Sequence, residues 1–256
     1  MLAAPTDDPL SACRVDVAAA GGVDELAGVL ARGGVALFDG VRGPRALLEL
    51  ADRLGAVAPH RDSGPTGLTV LTDREEQPGA GRTGFTNQAL APHTDCSDKP
   101  RPPQLVVMAC AVPAASGGAC VLVDGQAVHA DLATTAPEAL ADLSGPSGMF
   151  FGGGAGIVGN LFEPQPGGIV GVRLRLDDQA RFSPKTSEWE RVLRAAIDRH
   201  TITFNLAAGA GYAVNNRRWL HGRHGFSGLR LMYRVLVEPR PEWRIPAGFA
   251  PAGTLR

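Results

Sequence analysis

The stretch "LAPHTDCSDKPRPP", residues 90–103, carries His93 and Asp95 two positions apart. In an extended segment, residues i and i+2 point to the same side, so an imidazole and a carboxylate converge on one point. Alone, H-x-D occurs often by chance and suits a surface turn equally well. A second stretch, "VNNRRWLHGRHGFSGLRLMYRVLVEP" at 214–239, adds His221. Two histidines and one carboxylate form the facial triad of non-heme Fe(II) oxygenases, which leaves three coordination positions for a co-substrate and O2. Zinc accepts the same donors. Arg230 and Arg234, nine and thirteen residues after His221, separate the two chemistries. An arginine fork clamps a carboxylate through two hydrogen bonds. An oxygenase that consumes 2-oxoglutarate needs such a clamp, and a zinc hydrolase does not.

These side chains need a scaffold, and the hydrophobic pattern predicts one made mostly of short strands. Apolar residues at 23, 26, 27 and 30 predict a helix over 23–32, closed by Gly33-Gly34. A second helix is predicted over 44–57, opening with Pro44 and amphipathic through Leu47, Leu48, Ala51 and Leu54. Strands are predicted at 35–40, 68–73, 103–112, 119–125, 168–176 and in "TITFNL", "GYAVNN" and "LRLMYRVLVEP". Residues 74–92 read as a loop, 127–143 as two helical pieces around Pro137, and 187–200 as an amphipathic helix. His221 is then expected between one strand and a loop leading to the next. Arg230 and Arg234, four apart on the last strand, share one face. Eight or more strands with few helices, no repeat and no linker predict a mainly β jelly roll, with residues 1–256 as one domain.

One motif competes. Gly154-Ala155-Gly156-Ile157-Val158-Gly159 fits the dinucleotide fingerprint G-x-G-x-x-G. That motif requires a preceding strand and a following helix. Only "MFF" precedes it, and Pro164, Pro166 and Gly167-Gly168 forbid a helix after it. The run therefore reads as a glycine-rich loop between two strands.

Composition narrows the partners. A net charge of −1 provides no basic field for nucleic acid or an anionic membrane. No apolar run reaches the ~20 residues of a membrane helix. The first residues carry two Asp and no early Lys or Arg, the wrong polarity for a secretory leader. Four separated cysteines without C-x-x-C read as reduced thiols, which predicts a cytoplasmic protein with a small-molecule substrate. Oligomeric state is not legible.

Taken together, the chain resembles the taurine dioxygenase/clavaminate synthase-like Fe(II)/2-oxoglutarate oxygenases. The resemblance runs from a helix–"GGVALFDG"–helix–"RLG" opening, through "HTD" and "SGGACVLVDG", to "NNRRWLHGR…RLMYR". It implies a double-stranded β-helix (cupin-like), Fe(II) held by His93, Asp95 and His221, and 2-oxoglutarate and O2 as co-substrates. It implies Arg230 as the 2-oxoglutarate arginine and Arg234 as a residue that helps bind an anionic substrate. Relatives usually carry Thr or Ser at the position of Cys120, whose hydroxyl also bonds the distal carboxylate of 2-oxoglutarate; this chain departs there. The implied activity is hydroxylation of an unactivated C–H in a small polar metabolite, such as an amino acid derivative of specialised metabolism. Desaturation or ring closure would use the same iron site, and a non-catalytic β-helix binding protein would not need the full set.

The remaining candidates are weaker. Asn87 and Arg181 are candidates for substrate contact, Arg181 as part of a roof. His224 reads as a loop histidine near the site mouth. His60, His129 and His200 read as surface or structural residues, and Cys96 is expected to point away from its neighbour Asp95.

Overall fold

A computed structural model describes residues 10–75, 81–152 and 156–251. A seven-stranded sheet and a four-stranded sheet form its centre. We label their strands β1 (Arg14–Asp16), β2 (Val35–Asp39), β3 (Gly55–Ala58), β4 (Thr69–Leu71), β5 (Leu90–His93) and β6 (Leu105–Val112). The rest are β7 (Cys120–Asp124), β8 (Thr201–Phe204), β9 (Gly211–Asn215), β10 (Trp219–Arg223) and β11 (Leu231–Pro239). The larger sheet has the order β1-β2-β9-β6-β11-β3, with β4 also on β11; the smaller has the order β8-β7-β10-β5. Pairing is antiparallel throughout both, except β1 with β2.

Three apolar cores hold this arrangement, because each sheet has two faces to cover. Helices α1 (Gly22–Gly33) and α2 (Pro44–Leu54) bury Leu26, Leu30, Leu47 and Leu54 against the outer face of the larger sheet. Helices α3 (Gly125–Thr135), α4 (Pro137–Ser144) and α5 (Glu190–Arg199) cover the smaller sheet in the same way. Between the sheets lie Leu37, Val106, Met108, Leu122, Tyr212, Val214, Met232 and Leu236, the alternating inward residues of both. The fold is thus the mainly β double-stranded β-helix expected from the strand count. No helix among the described residues is long and apolar enough to cross a membrane.

Three local expectations change. The helix predicted over 44–57 ends at Leu54, and Gly55–Ala58 leaves as β3 to pair with β11. The predicted loop at 74–92 ends in a strand, because β5 finds a partner in β10 that no local pattern announces. His221 lies in the middle of β10, not beyond a strand.

The glycine run is a hairpin connection. Met149–Phe151 pairs with Ile157–Gly159, with Phe151 opposite Ile157. Residues 153–155, including Gly154 and Ala155 of the fingerprint, lie outside the described residues. A strand, not a helix, follows Gly156, so the dinucleotide geometry is not built. A Cβ on Gly156 would sit 2.0 Å from the Phe151 carbonyl oxygen, which explains glycine at that turn.

Candidate active site

His221 and His93 face each other directly across the β10–β5 pair. Their ring centroids are 4.5 Å apart. The next residue, Gly222, allows this approach: a Cβ there would lie 2.5 Å from the Leu90 carbonyl oxygen. Asp95 follows two residues past His93 and brings its carboxylate to both rings. Its Oδ1 lies 3.6 Å from His93 Nε2 and its Oδ2 3.9 Å from His221 Nε2. One donor atom from each of the three residues lies within 4.8 Å of the other two, and all three residues are buried.

The protonation pattern suits a divalent cation. His93 Nδ1 lies 2.9 Å from the Ala91 carbonyl oxygen, where the nitrogen must donate. Its lone pair is therefore on Nε2, toward Asp95. Burial, with the charge of His93, pushes His221 down to about 3, so its ring is neutral near pH 7. Burial alone would raise the Asp95 carboxyl. The Arg234 guanidinium and the two histidines outweigh burial and hold it well below the ordinary carboxylate range. Two imidazoles and one carboxylate are the donor set of a facial iron site.

Arg234 is closer to this cluster than expected. Its Nη1 donates to Asp95 Oδ1 at 3.1 Å and to Oδ2 at 3.0 Å, and its Nη2 lies 3.2 Å from His60 Nδ1. Arg230, one residue before β11, and Arg234, within it, are both buried and both line the cavity. Arg230 is buried against Phe226, 5.6 Å from guanidinium carbon to ring centre. Cys120 lines the same cavity, and burial pushes its thiol up to about 11.

These groups open into a cavity of about 250 Å³, near the lower end of the ~300–1,000 Å³ typical of small-molecule sites. The cavity reaches Gly152 of the glycine-rich hairpin. Its outer wall carries both charge signs, with Arg61, Asp62, Asp98, Lys99 and Arg175 among the lining residues.

Several candidate residues lie elsewhere than the local pattern suggests. Asn87 is exposed and Gly84 and Phe85 line the cavity in its neighbourhood. Its carbonyl accepts from Phe226 N–H, which fixes the backbone with the side chain outward. Arg181 is the exposed residue of a strand whose neighbours Ala180 and Phe182 face inward, so Gln179 and Arg175 take the wall instead. Cys96 was expected to point away from the site, yet it lines the cavity. Its φ of 55° ends the extended conformation on which strict alternation depends. His60 is not a surface residue: it lines the cavity and contacts Arg234. His224 is exposed, His129 packs on Phe162 and Phe249, and His200 pairs with Asp131.

Sequence reasoning also missed the residues that hold the cluster. Arg223 donates to the carbonyls of Gln88 and Thr86, and to that of Thr83 at 3.1 Å. Arg173 donates to the carbonyls of Ser97 and Lys99 at 2.7 and 2.6 Å and pairs with Glu163. The His93–Asp95 segment is therefore clamped on both sides by buried guanidinium groups. Their partners are backbone atoms, which have no residue-type signature to read.

The family model for the taurine catabolism dioxygenase TauD/TfdA family matches residues 7–236. The chain belongs to that family. It is an Fe(II)- and 2-oxoglutarate-dependent oxygenase. Solved structures with the same fold include an asparagine oxygenase in complex with Fe(II), 3-hydroxyasparagine and succinate. That structure is 16% identical, has a TM-score of 0.65, and the match covers 84% of this chain and 79% of that one. The non-heme iron oxygenase OrfP, in complex with Fe, succinate and a dihydroxy-arginine, is 14% identical with a TM-score of 0.67, over 86% and 81%. PvcB from Pseudomonas aeruginosa is 18% identical with a TM-score of 0.66, again over 86% and 81%.

Proposed function

We propose that this oxygenase hydroxylates an unactivated C–H of a small zwitterionic metabolite of the amino acid class, acting in the cytoplasm as one catalytic domain. We assign His93, Asp95 and His221 as the iron ligands and Arg230 as the clamp on the distal carboxylate of 2-oxoglutarate. The observation that carries this reading is one cavity holding both the three converging metal donors and a buried arginine. No carboxylate lies within ion-pair distance of that arginine among the described residues.

Bound iron with 2-oxoglutarate supplies the O2-activating redox chemistry. The chain's own groups bind, orient and exclude water. His93 and His221 offer nitrogen lone pairs, and Asp95 offers a carboxylate kept ionised by Arg234. Arg230 sets the direction of the co-substrate. The Nη2 edge of Arg234, with His60 beside it, meets an anionic group of the substrate. The outer wall of mixed sign suits a molecule carrying both an amine and a carboxylate. The neighbouring structures that hold hydroxylated asparagine and arginine support the same class.

The test is anaerobic loading with Fe(II), then addition of O2, 2-oxoglutarate and a panel of free amino acids and their derivatives. Expected are O2-dependent succinate formation and a product heavier by one oxygen atom. Turnover with zinc in place of iron and without O2 would overturn the reading. A product lighter by two hydrogens would replace hydroxylation by desaturation or ring closure.

A further inference from the structure

The far end of the cavity holds donors and no matching acceptor. Arg230 is 7% exposed and lies one residue before β11. Cys120, on β7, lines the same space. Tyr212, on β9, is 2% exposed and lines the cavity as well. Its ring packs edge-on against Phe204, the residue paired with Cys120, with ring centres 6.0 Å apart. The Tyr212 hydroxyl makes no hydrogen bond among the described residues. The oxygen is not a fully enclosed atom either, so it is free to meet a ligand in the cavity that Tyr212 lines.

Tyr212 shares its cavity with Cys120 and Arg230 and with the three metal donors, and its contact with Phe204, the register partner of Cys120, puts the ring at the Cys120 end. Burial keeps Tyr212 protonated well above its ordinary range, and Cys120 protonated up to about 11. A guanidinium, a thiol and a phenol gathered around one buried space have no anion among them. A buried guanidinium with no carboxylate beside it favours an anionic ligand in that space.

We propose that the Tyr212 hydroxyl donates to the distal carboxylate of 2-oxoglutarate beside Arg230, supplying the neutral hydroxyl that position 120 lacks in this chain. The inference rests on the assignment of Arg230 to that carboxylate. A thiol is a weak donor, so Cys120 alone is a poor second contact. The phenol reaches the same carboxylate from the opposite sheet.

The test compares two 2-oxo acids of equal chain length. 2-Oxopentanoate has a methyl group where 2-oxoglutarate has its distal carboxylate. Both are titrated calorimetrically into Mn(II)-loaded protein without O2, so the readout is binding. Wild type should bind 2-oxoglutarate far more tightly than 2-oxopentanoate. Tyr212→Phe should weaken 2-oxoglutarate by about tenfold, the scale of one hydrogen bond to a charged group. It should leave 2-oxopentanoate and Mn(II) affinity unchanged. Adding Cys120→Thr to Tyr212→Phe should recover part of the loss. Unchanged 2-oxoglutarate affinity in Tyr212→Phe would overturn the proposal, and so would equal losses for the two acids, which would mark a packing role. A wild type that fails to discriminate between the acids would instead remove Arg230 from the carboxylate, and Tyr212 with it.

Discussion

The side-chain amide of Asn216 pairs with the backbone of Asp95 at both ends. Asn216 Oδ1 accepts from Asp95 N–H at 2.7 Å, and Nδ2 donates to the Asp95 carbonyl at 3.0 Å and to that of Pro103 at 2.9 Å. Asn216 is 1% exposed and lies directly after β9. Asp95 has left the strand that carries His93, and the next residue, Cys96, is left-handed. No sheet ladder holds the aspartate backbone here, and Asn216 takes the ladder's place.

Asn216→Ala should therefore act on the metal site without touching a metal ligand. It strands the Asp95 N–H and two carbonyls in a dry interior. Unsatisfied buried groups cost about 1–3 kcal/mol each, and partial relaxation brings the expected loss to about 2–4 kcal/mol. Urea unfolding measures that loss, and Fe(II) titration should show weaker binding. Full iron affinity in a destabilised variant would show that the pair serves stability alone.

Arg234 and Arg230 should separate cleanly. Arg234→Ala leaves the buried Asp95 without its nearest cation, a change of about 3–5 kcal/mol for a broken buried pair. The carboxyl then titrates higher, so the loss of metal affinity on acidification should begin at a higher pH than in wild type. Arg230→Ala should leave metal affinity intact and raise the 2-oxoglutarate requirement, by about 2–5 kcal/mol in binding. Arg230→Lys should recover only part, lacking the fork. The reverse pattern would exchange the two roles.

Arg223 ties β10 to the segment that precedes β5 through three carbonyls. Arg223→Met keeps most of the volume and removes every donor. Amide hydrogens of residues 83–92 should then exchange faster, while those of β6 and β9 keep their protection. Unaltered exchange over 83–92 would mean that packing of Phe85 holds the segment by itself.

The metal-stripped protein should lose stability as pH falls through the histidine range. Folded His221 takes its proton only near about 3, because it is buried beside His93, whereas the unfolded chain takes it near 6.5. Between those values unfolding absorbs a proton, so stability is fully present above about 6.5 and declines below it. His60 and His129 are also lowered, chiefly by burial, and act in the same direction. Asp95 joins only below its ordinary 3.8. The urea midpoint after chelation should be lower at pH 5 than at pH 7.5, with a shallower slope in His221→Asn. Equal midpoints would show that His221 is not held neutral in the fold.

The sequence by itself determined the chemistry of this protein. His93 and Asp95 at i and i+2, His221 ahead of a strand, and Arg230 and Arg234 four apart are local spacings. Extended-backbone periodicity shows from such spacings which side chains can converge. The same reasoning excluded the glycine fingerprint, because Pro164, Pro166 and the Gly167-Gly168 pair leave no room for a helix after it. Tertiary structure decided what meets these residues. His60 reaches Arg234 from 174 positions away, and Asn216 reaches Asp95 from 121. Tyr212 comes to the Cys120 end of the cavity only because the two sheets face each other. Cys96 turns inward through a single backbone dihedral. Asn87 and Arg181 point outward because a backbone contact and a strand phase turn them. Such outcomes depend on register and on which carbonyl a buried donor finds, and these are set by packing across the whole chain. Local residue types carry the chemistry; the long-range pairing of β5 with β10, and of Asn216 with Asp95, gives it a position.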